Sequence, residues 1–424
     1  MQLCIFEDSI VDKLEPICLT RPLVQNYLGA STILAKILQR LRPGLWGLWV
    51  RPYLTALTQE LFPDVPVNDL DWLHHEATMF VNARWLPPLE FSIPHEPHVG
   101  IKDGQIAYIR LSPDYRPQLN NDWFDQIHLW ANSLPRLNVP GFMISHPWDL
   151  IAVNETILCE DATVWLSQSA KKLSAQNVHI FGNPDSLYID ATATIEAPVV
   201  FSTQHGPIII DQHTHIHAFS RIEGPCYIGP NCVIFGARIR RGTTIGPGCR
   251  MGGEVEASIF QGWSNKYHDG FVGHSWIGEW VNLAAGVQIS DLRHDYKAVP
   301  VLHRSQRLDS GLLKLGAFIG DHTKVGLGVL VNTGSIFGIF CNVLPGPSYA
   351  PNYIPSFCKY VRGELRPQRD LDECLELAAR VMARRHQELS CYLADIYRHV
   401  YVRTEPDRIA YSGTSHQRAW RNAA

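Results

Sequence analysis

Between Ile210 and Val343 the aliphatic residues recur at a period that suits neither an α-helix nor an ordinary strand. Ile210, Ile216, Ile222, Ile228 and Ile234 are each six apart; the count slips by one to Ile239 and resumes at Ile245 and Met251. The phase returns at Ile277, Leu283 and Ile289, and again at Ile319, Val325, Val331, Phe337 and Val343. Glycine often follows the aliphatic residue, as in Ile228-Gly229, Ile277-Gly278 and Val325-Gly326. A hexapeptide period of this kind predicts a parallel β-helix, in which each repeat lays down one short strand with its aliphatic side chain inward. A single coil cannot bury its own apolar face, so stability has to come from stacking. The phase is visible from Ile189 and Ile195 onward, and two stretches interrupt it, 258–271 and 290–314. The second is basic, with Arg293, His294, Lys297, His303, Arg304 and Arg307, and reads either as an anion site or as a solvated charged loop.

The first 150 residues do not repeat. Leu3 to Phe6 reads as a buried strand ending at Glu7-Asp8, Leu45 to Val50 as a second and Met79 to Asn82 as a third. Helical spacing lies between them, at Thr32–Leu41 and Thr55–Leu61. Alternation of this kind predicts an α/β domain with a parallel, Rossmann-like sheet whose strand ends would place Glu7, Asp8, Arg21, Asn82 and Arg84 near any ligand. Phe142 to Asn154 reads as a link, and from about Leu158 the chain reads as short β-rich segments. After Pro355 the repeat ends, and Leu371 to Val402 reads as one long amphipathic helix that caps the solenoid or packs on a neighbouring subunit. The expected organisation is an α/β domain over 1–155, a β-helix over 156–355 and a helical extension over 356–424.

Composition changes this picture little. Of 424 residues 46% are hydrophobic and 18% charged, with a net charge of -4, and no basic run points to a nucleic-acid partner. The ten cysteines form no CxxC pair, which favours a reducing compartment over a disulfide framework. The first residues, MQLCIFEDS, carry acid where a secretory signal carries base, and no apolar run reaches membrane-spanning length; the expectation is a cytoplasmic protein.

Three stretches carry a resemblance: Gly236-Ala237-Arg238-Ile239-Arg240-Arg241-Gly242, Gly252-Gly253-Glu254-Val255-Glu256, and His268 through Gly286. Together they resemble the acetyltransferase domain of the bifunctional GlmU enzymes of UDP-N-acetylglucosamine synthesis. Closer still is a divergent, alternate GlmU-like branch, which shares the strand and Arg-Pro turn (Phe6-Glu7-Asp8, Thr20-Arg21-Pro22) and the pattern SNKxHDGFxGxSxxGEWxNLxA, matched by residues 264–285. The resemblance implies a left-handed β-helix, a homotrimer, and acetyl transfer from acetyl-CoA to glucosamine-1-phosphate. It assigns His268 as the general base that frees the sugar amine, a task suited to an imidazole that titrates near neutrality. Arg240 falls on the family's phosphate-binding arginine and Asn282 on its sugar-contacting asparagine, though a rung arginine and an asparagine ladder are the structural alternatives. Ala285 falls on the residue beside the acetyl group. Phe271 stands where the family has a substrate-contacting tyrosine. The family's lysine after the Glu256 position is missing, which leaves Lys266 or the basic loop as a substitute, and Asp291-Leu292 replaces the acetyl-CoA-binding NYDG stretch.

For the amino-terminal domain the resemblance implies transfer of a nucleotidyl group from UTP or another NTP, with Mg²⁺. The glycine-rich phosphate loop is absent from residues 1–30, Arg21 stands near the expected lysine, and Asn82 replaces the metal-binding aspartate. The site is therefore rebuilt or inactive. Two classes of function remain open: a transferase making an activated amino sugar, or a binding or assembly protein that keeps the fold without the chemistry.

Overall fold

The computed structural model describes residues 2–75, 77–112, 123–167, 178–304, 306–367 and 370–411. The chain divides into two compact units, one built mainly from residues 1–26 and 31–146, the other mainly from 147–390 and 397–424.

In the first unit, Gln2–Phe6 lies between Trp46–Trp49 and Thr78–Asn82, parallel to both. The three predicted strands thus form the parallel half of a six-stranded sheet. Its other half is an antiparallel hairpin, His98–Lys102 with Gln105–Arg110, beside Arg136–Asn138. Asp103 (φ 50°) and Gly104 (φ 73°) turn that hairpin, and an Asp-Gly pair with both φ positive matches strand twist. Phe6, Trp49, Phe80, Val99, Ile109 and Trp130 pack the core of this unit. Ile33–Leu41 forms the first predicted helix, with the Thr32 hydroxyl accepting from the Ala35 N–H at 3.3 Å as its cap.

The second unit is a β-solenoid of three faces that carry, among the described residues, eight, nine and ten strands, parallel except for the returning last strand of the third face. Its inward columns are the aliphatic positions read from the repeat. On the second face Ile210, Ile228, Ile245, Phe260, Ile277, Ile319 and Phe337 stack in register and are all fully buried. At one corner Trp263, Trp280, His322, Phe340 and Phe357 all adopt φ between 53° and 60° and stack ring on ring, with successive centroids 4.7–6.2 Å apart. The Tyr397 hydroxyl closes that ladder on His322 Nε2 at 3.0 Å.

Four expectations need correction. The coil continues through 258–271: Ile259–Gly262, Asn265–Lys266 and Phe271–Gly273 are in register on the three faces. The step from Met251 to Val255 is only four residues, and Phe260 and Lys266 turn inward in place of isoleucine, so the phase is hidden while the path is kept. Residues 290–314 do leave the solenoid, as an antiparallel hairpin of Pro300–His303 with Gln306–Asp309. The supposed link and the start of the β-rich region are one helix, Asp149–Leu166. Its Leu158 and Ala162 pack on Tyr188, Ile209 and Tyr227, and Asn154 donates to Gly242 O at 2.8 Å, so its contacts with the second face, rather than a clean apolar stripe, hold it. The repeat runs past Pro355, through Cys358–Val361 and the returning Glu364–Pro367. Finally, the carboxy-terminal helix is broken into Leu371–Ala383, Cys391–Arg403 and Glu405–Tyr411. The break follows from a polar run, 384–388, in which Arg385 is drawn to Gly248 O (3.1 Å) and Asn265 Oδ1 (2.7 Å) and His386 takes φ 56°.

Candidate active site

On the third face, strand residues immediately before each inward position point outward and form a polar column: Arg250, Asn265, Asn282 and Lys324 stand in register. Beside Arg250, Asn265 and Asn282 lies a depression of about 310 Å³, whose wall includes Tyr267, His268, Ala285 and Leu327. Asn265 Nδ2 donates to Asn282 Oδ1 at 3.3 Å, so Asn282 is both a ladder member and a wall residue. The Tyr267 ring stacks on Phe235 with centroids 5.1 Å apart and presents its edge to His268 at 5.6 Å. His268 itself is exposed at the turn that leaves this face.

Lys266 departs from the sequence expectation of a substrate contact. It occupies the inward column between Met251 and Leu283, is fully buried, and its amine donates to the main-chain oxygen of His268. Burial pushes its pKa down to about 8, with Asp269 acting in the opposite direction. The residue acts from inside the coil, holding the backbone that carries His268.

Arg240 and Phe271 sit on the first face, away from this depression. Arg240 is ringed by carboxylates, with Glu256 at 2.9 Å, Glu254 at 3.3 Å and Glu223 at 3.9 Å. A phosphate brought to it would meet three negative neighbours. Phe271 packs along Glu254 and Gln288 in register. Asp291, which stands where the acetyl-CoA stretch was expected, pairs with His274 Nδ1 at 2.7 Å. The basic excursion is partly self-neutralised, Arg293 forming two 2.7 Å bonds to Asp295 and Arg304 lying 3.2 Å from Asp407. His303 is pushed down to about 4 by burial and by Arg304.

Of the expected residues, then, the fold brings together His268, Asn282 and Ala285, with Lys266 behind them. Arg250 and Tyr267 are additions. For Arg250 part of the signal was available in the sequence: it precedes the inward Met251 as Asn282 precedes Leu283, which puts both on one outer stripe, and Asn265 joins that stripe once the register turns Lys266 inward.

The first unit has a cleft of about 1020 Å³ at the carboxyl ends of its parallel strands, lined by Glu7, Asp8, Arg51, Asn82, Arg84, His128 and Arg136 among others. Arg21 does not line it; it is buried, and its carbonyl accepts from Arg51 at 2.9 Å. The residues offered for Mg²⁺ do not fit a hard cation. Asn82 Oδ1, the one ligating atom of that side chain, already accepts from the Arg84 N–H at 3.0 Å, and its Nδ2 donates to Asp8 at 2.9 Å. Arg84 in turn holds Asp8 with bonds of 2.6 and 2.8 Å, and Glu7 is held by Arg51 and the Leu23 N–H. Guanidinium groups occupy the carboxylates that a metal would need.

Comparison with known proteins adds to this geometry. Residues 3–169 match the family described as sugar nucleotidyl transferase. The expected resemblance is borne out. The chain is 41% identical over 93 residues to a bifunctional sugar-1-phosphate nucleotidylyltransferase/acetyltransferase of Sulfurisphaera tokodaii, a stretch covering 22% of this chain and 23% of that protein. It is 31% identical over 163 residues to the bifunctional protein GlmU of a Jannaschia species, covering 36% of this chain and 32% of that protein. The chain thus spans less than a third of the length of these relatives in each match. Among solved structures, the polySia-specific acetyltransferase NeuO aligns over 46% of this chain and 99% of its own, at 11% identity and a TM-score of 0.26, and no argument rests on that likeness.

Proposed function

We propose that this chain is a GlmU-like sugar-phosphate transferase whose solenoid transfers an acetyl group from acetyl-CoA to the amine of glucosamine-1-phosphate. The observation that carries the reading is the third-face depression, where an exposed imidazole, His268, shares one wall with Asn282, Ala285 and a cation. In the proposed step His268 takes a proton from the sugar ammonium, and the free amine attacks the thioester carbon. The new C–N bond replaces the C–S bond, the nitrogen sheds its second proton as the amide forms, and the coenzyme A sulfur leaves as thiolate, which takes up one proton. Asn282 orients the sugar, the main chain at Ala285 lies along the acetyl group, and Lys266 fixes the His268 backbone from within. The phosphate contact falls to Arg250 rather than Arg240, because Arg250 lines the depression while Arg240 is already held by three glutamates.

Leu327, on the wall of the depression, is 65% exposed. A second copy laid on this face would complete it, which supports the homotrimer. The amino-terminal cleft has the volume for a sugar-1-phosphate with UTP or another nucleoside triphosphate, and the family match of residues 3–169 supports nucleotidyl transfer there. Asn82 and Asp8 are taken up by hydrogen bonds to each other and to Arg84, so neither supplies a free metal ligand to that cleft. Ten free cysteines, eight of them buried, support a reducing, cytoplasmic setting, and no described helix is long and apolar enough to cross a membrane.

The test is release of free thiol from acetyl-CoA across a panel of amino-sugar phosphates. Release with glucosamine-1-phosphate supports the reading; release only with another amino sugar would move the substrate and keep the chemistry. No release above blank with any of them would favour the binding or assembly class.

A further inference from the structure

The solenoid carries a second cluster of chemistry-bearing side chains, three and four coils before His268 on the same third face. Here Thr194–Ile195 pairs in parallel register with His215–Ile216, so that Ile195 and Ile216 turn inward together. The residues flanking them, Glu196, His215 and His217, therefore turn outward on adjacent rungs. The carboxylate of Glu196 stands between the two imidazoles: Oε1 is 2.7 Å from His215 Nε2, and Oε2 is 3.0 Å from His217 Nδ1. The two rings are stacked, with centroids 4.2 Å apart, and Phe235 backs His217 edge-on at 5.2 Å. One ligating atom from each of the three residues lies within 4.8 Å of the others.

We infer that Glu196, His215 and His217 form a binding site for a zinc-class divalent cation, with at least one coordination position open to solvent. The donor set decides the class of ion. Two imidazole nitrogens and one carboxylate suit Zn²⁺ and its neighbours, whereas Mg²⁺ and Ca²⁺ want oxygen alone. The spacing is close to what such an ion needs. Ligands at about 2.0–2.2 Å around a tetrahedral centre lie roughly 3.3 Å from one another, so the two nitrogen-to-oxygen contacts have to open by roughly 0.3–0.6 Å, and the stacked rings have to swing out of parallel so that both nitrogen lone pairs converge on the ion. The backbone is fixed independently: the N–H groups of His215, His217 and Glu196 donate to Cys232 O, Ile234 O and Ile216 O, each at 2.8 Å. All three ligands are partly or fully exposed, so an ion can reach them.

The position also gives the ion a task. Thr194–Ile195 is a two-residue strand at the edge of its face, and its one strand partner among the described residues is His215–Ile216. An edge this short has little pairing of its own. An ion shared between Glu196 and the two histidines would clip the first rung to the second and blunt that edge.

The experiment uses the full chain, stripped with a chelator and titrated with Zn²⁺ by calorimetry, with Co²⁺ absorption as a second probe and the melting temperature as a third. One equivalent should bind, with a tetrahedral Co²⁺ spectrum lacking a thiolate band and a melting temperature raised by Zn²⁺. His215→Ala and His217→Ala should each weaken binding by at least about tenfold, and Glu196→Gln should do the same while keeping the shape of the side chain. Far-UV circular dichroism checks that these surface variants stay folded. Absence of binding at about 0.1 mM Zn²⁺, an affinity too weak for a built His₂Glu site, would overturn the inference. So would binding that is unchanged in Glu196→Gln and His217→Ala, or a Co²⁺ thiolate band showing that exposed Cys159 or Cys391 holds the metal. In those cases the cluster is a hydrogen-bonded pair of histidines on a carboxylate and no more.

Discussion

Lys266→Met isolates the buried amine, and its consequences can be worked from the structure. The unbranched methionine fits a column in which Met251 and Leu283 are the neighbours, so no large cavity or clash is created. Two terms oppose each other near pH 7. The amine's hydrogen bond to His268 O is lost, at a cost of about 1.5–3 kcal/mol for a charged donor. The desolvation that pushes the lysine from 10.5 to about 8 is relieved, and a shift of that size corresponds to at most about 3 kcal/mol, less where water reaches the amine. The variant should therefore lie within about 1.5 kcal/mol of the parent at pH 7. The pH dependence separates the terms. A lysine whose folded pKa is depressed binds fewer protons in the folded state, so parent stability rises between pH 8 and 10.5, where the folded amine has lost its proton and the unfolded one still holds it, and levels off above. Between pH 7 and 9.5 this gain is up to about 2 kcal/mol, and the variant lacks it. Lys324, also lowered to about 8 by burial, and the cysteines contribute equally to both proteins and cancel in the difference. Urea unfolding of parent and variant at the two pH values reads this directly. A parent-minus-variant difference that stays flat with pH would refute the placement of the amine inside the coil.

Arg250→Ala should raise the KM for the sugar phosphate by about tenfold or more and change kcat little, since a phosphate contact acts on ground and transition state alike. Arg240→Ala should leave KM within about threefold; steady-state kinetics on both variants distinguishes the assignments, and the reverse pattern would restore Arg240. Mg²⁺ at about millimolar concentration without nucleotide should leave the melting temperature unchanged, because Arg84 occupies Asp8. A saturable Mg²⁺ stabilisation that disappears in Asp8→Asn would contradict that.

The solenoid was legible because one residue type repeats at one spacing: Ile210 to Ile234 stack as the period requires. Where the inward residue changes, as at Phe260 and Lys266, the coil persists without its sequence signal. Lys266 shows the limit sharply, since a lysine beside a catalytic-looking motif reads as a surface contact, and only the register reveals that it faces inward. The parallel strands of the first unit were readable from alternation, and the hairpin at 98–110 had its Asp103-Gly104 signal unread. The helix at 149–166 was hidden for a different reason: its contacts come from residues far along the chain, Tyr188 and Tyr227 among them, so no clean apolar stripe marks it. For the site, His268, Asn282 and Ala285 were named from the motif and meet in one depression. Phe271 belongs to the same motif and lies on another face, because neighbours in a pattern can be separated by a corner of the solenoid, and Arg240, from the stretch 236–242, lies on that face as well. Arg250 was missed because it lies outside the motif and inside the stripe.

The most direct test of the central claim is acetyl transfer by His268→Ala, followed as free thiol at saturating glucosamine-1-phosphate and acetyl-CoA, with the variant's fold confirmed by its melting curve. Loss of the general base should lower kcat by about 10²–10⁴-fold while the KM for the sugar phosphate changes little. Near-normal turnover in the folded variant would contradict the account, because no other residue here is given the task of freeing the amine.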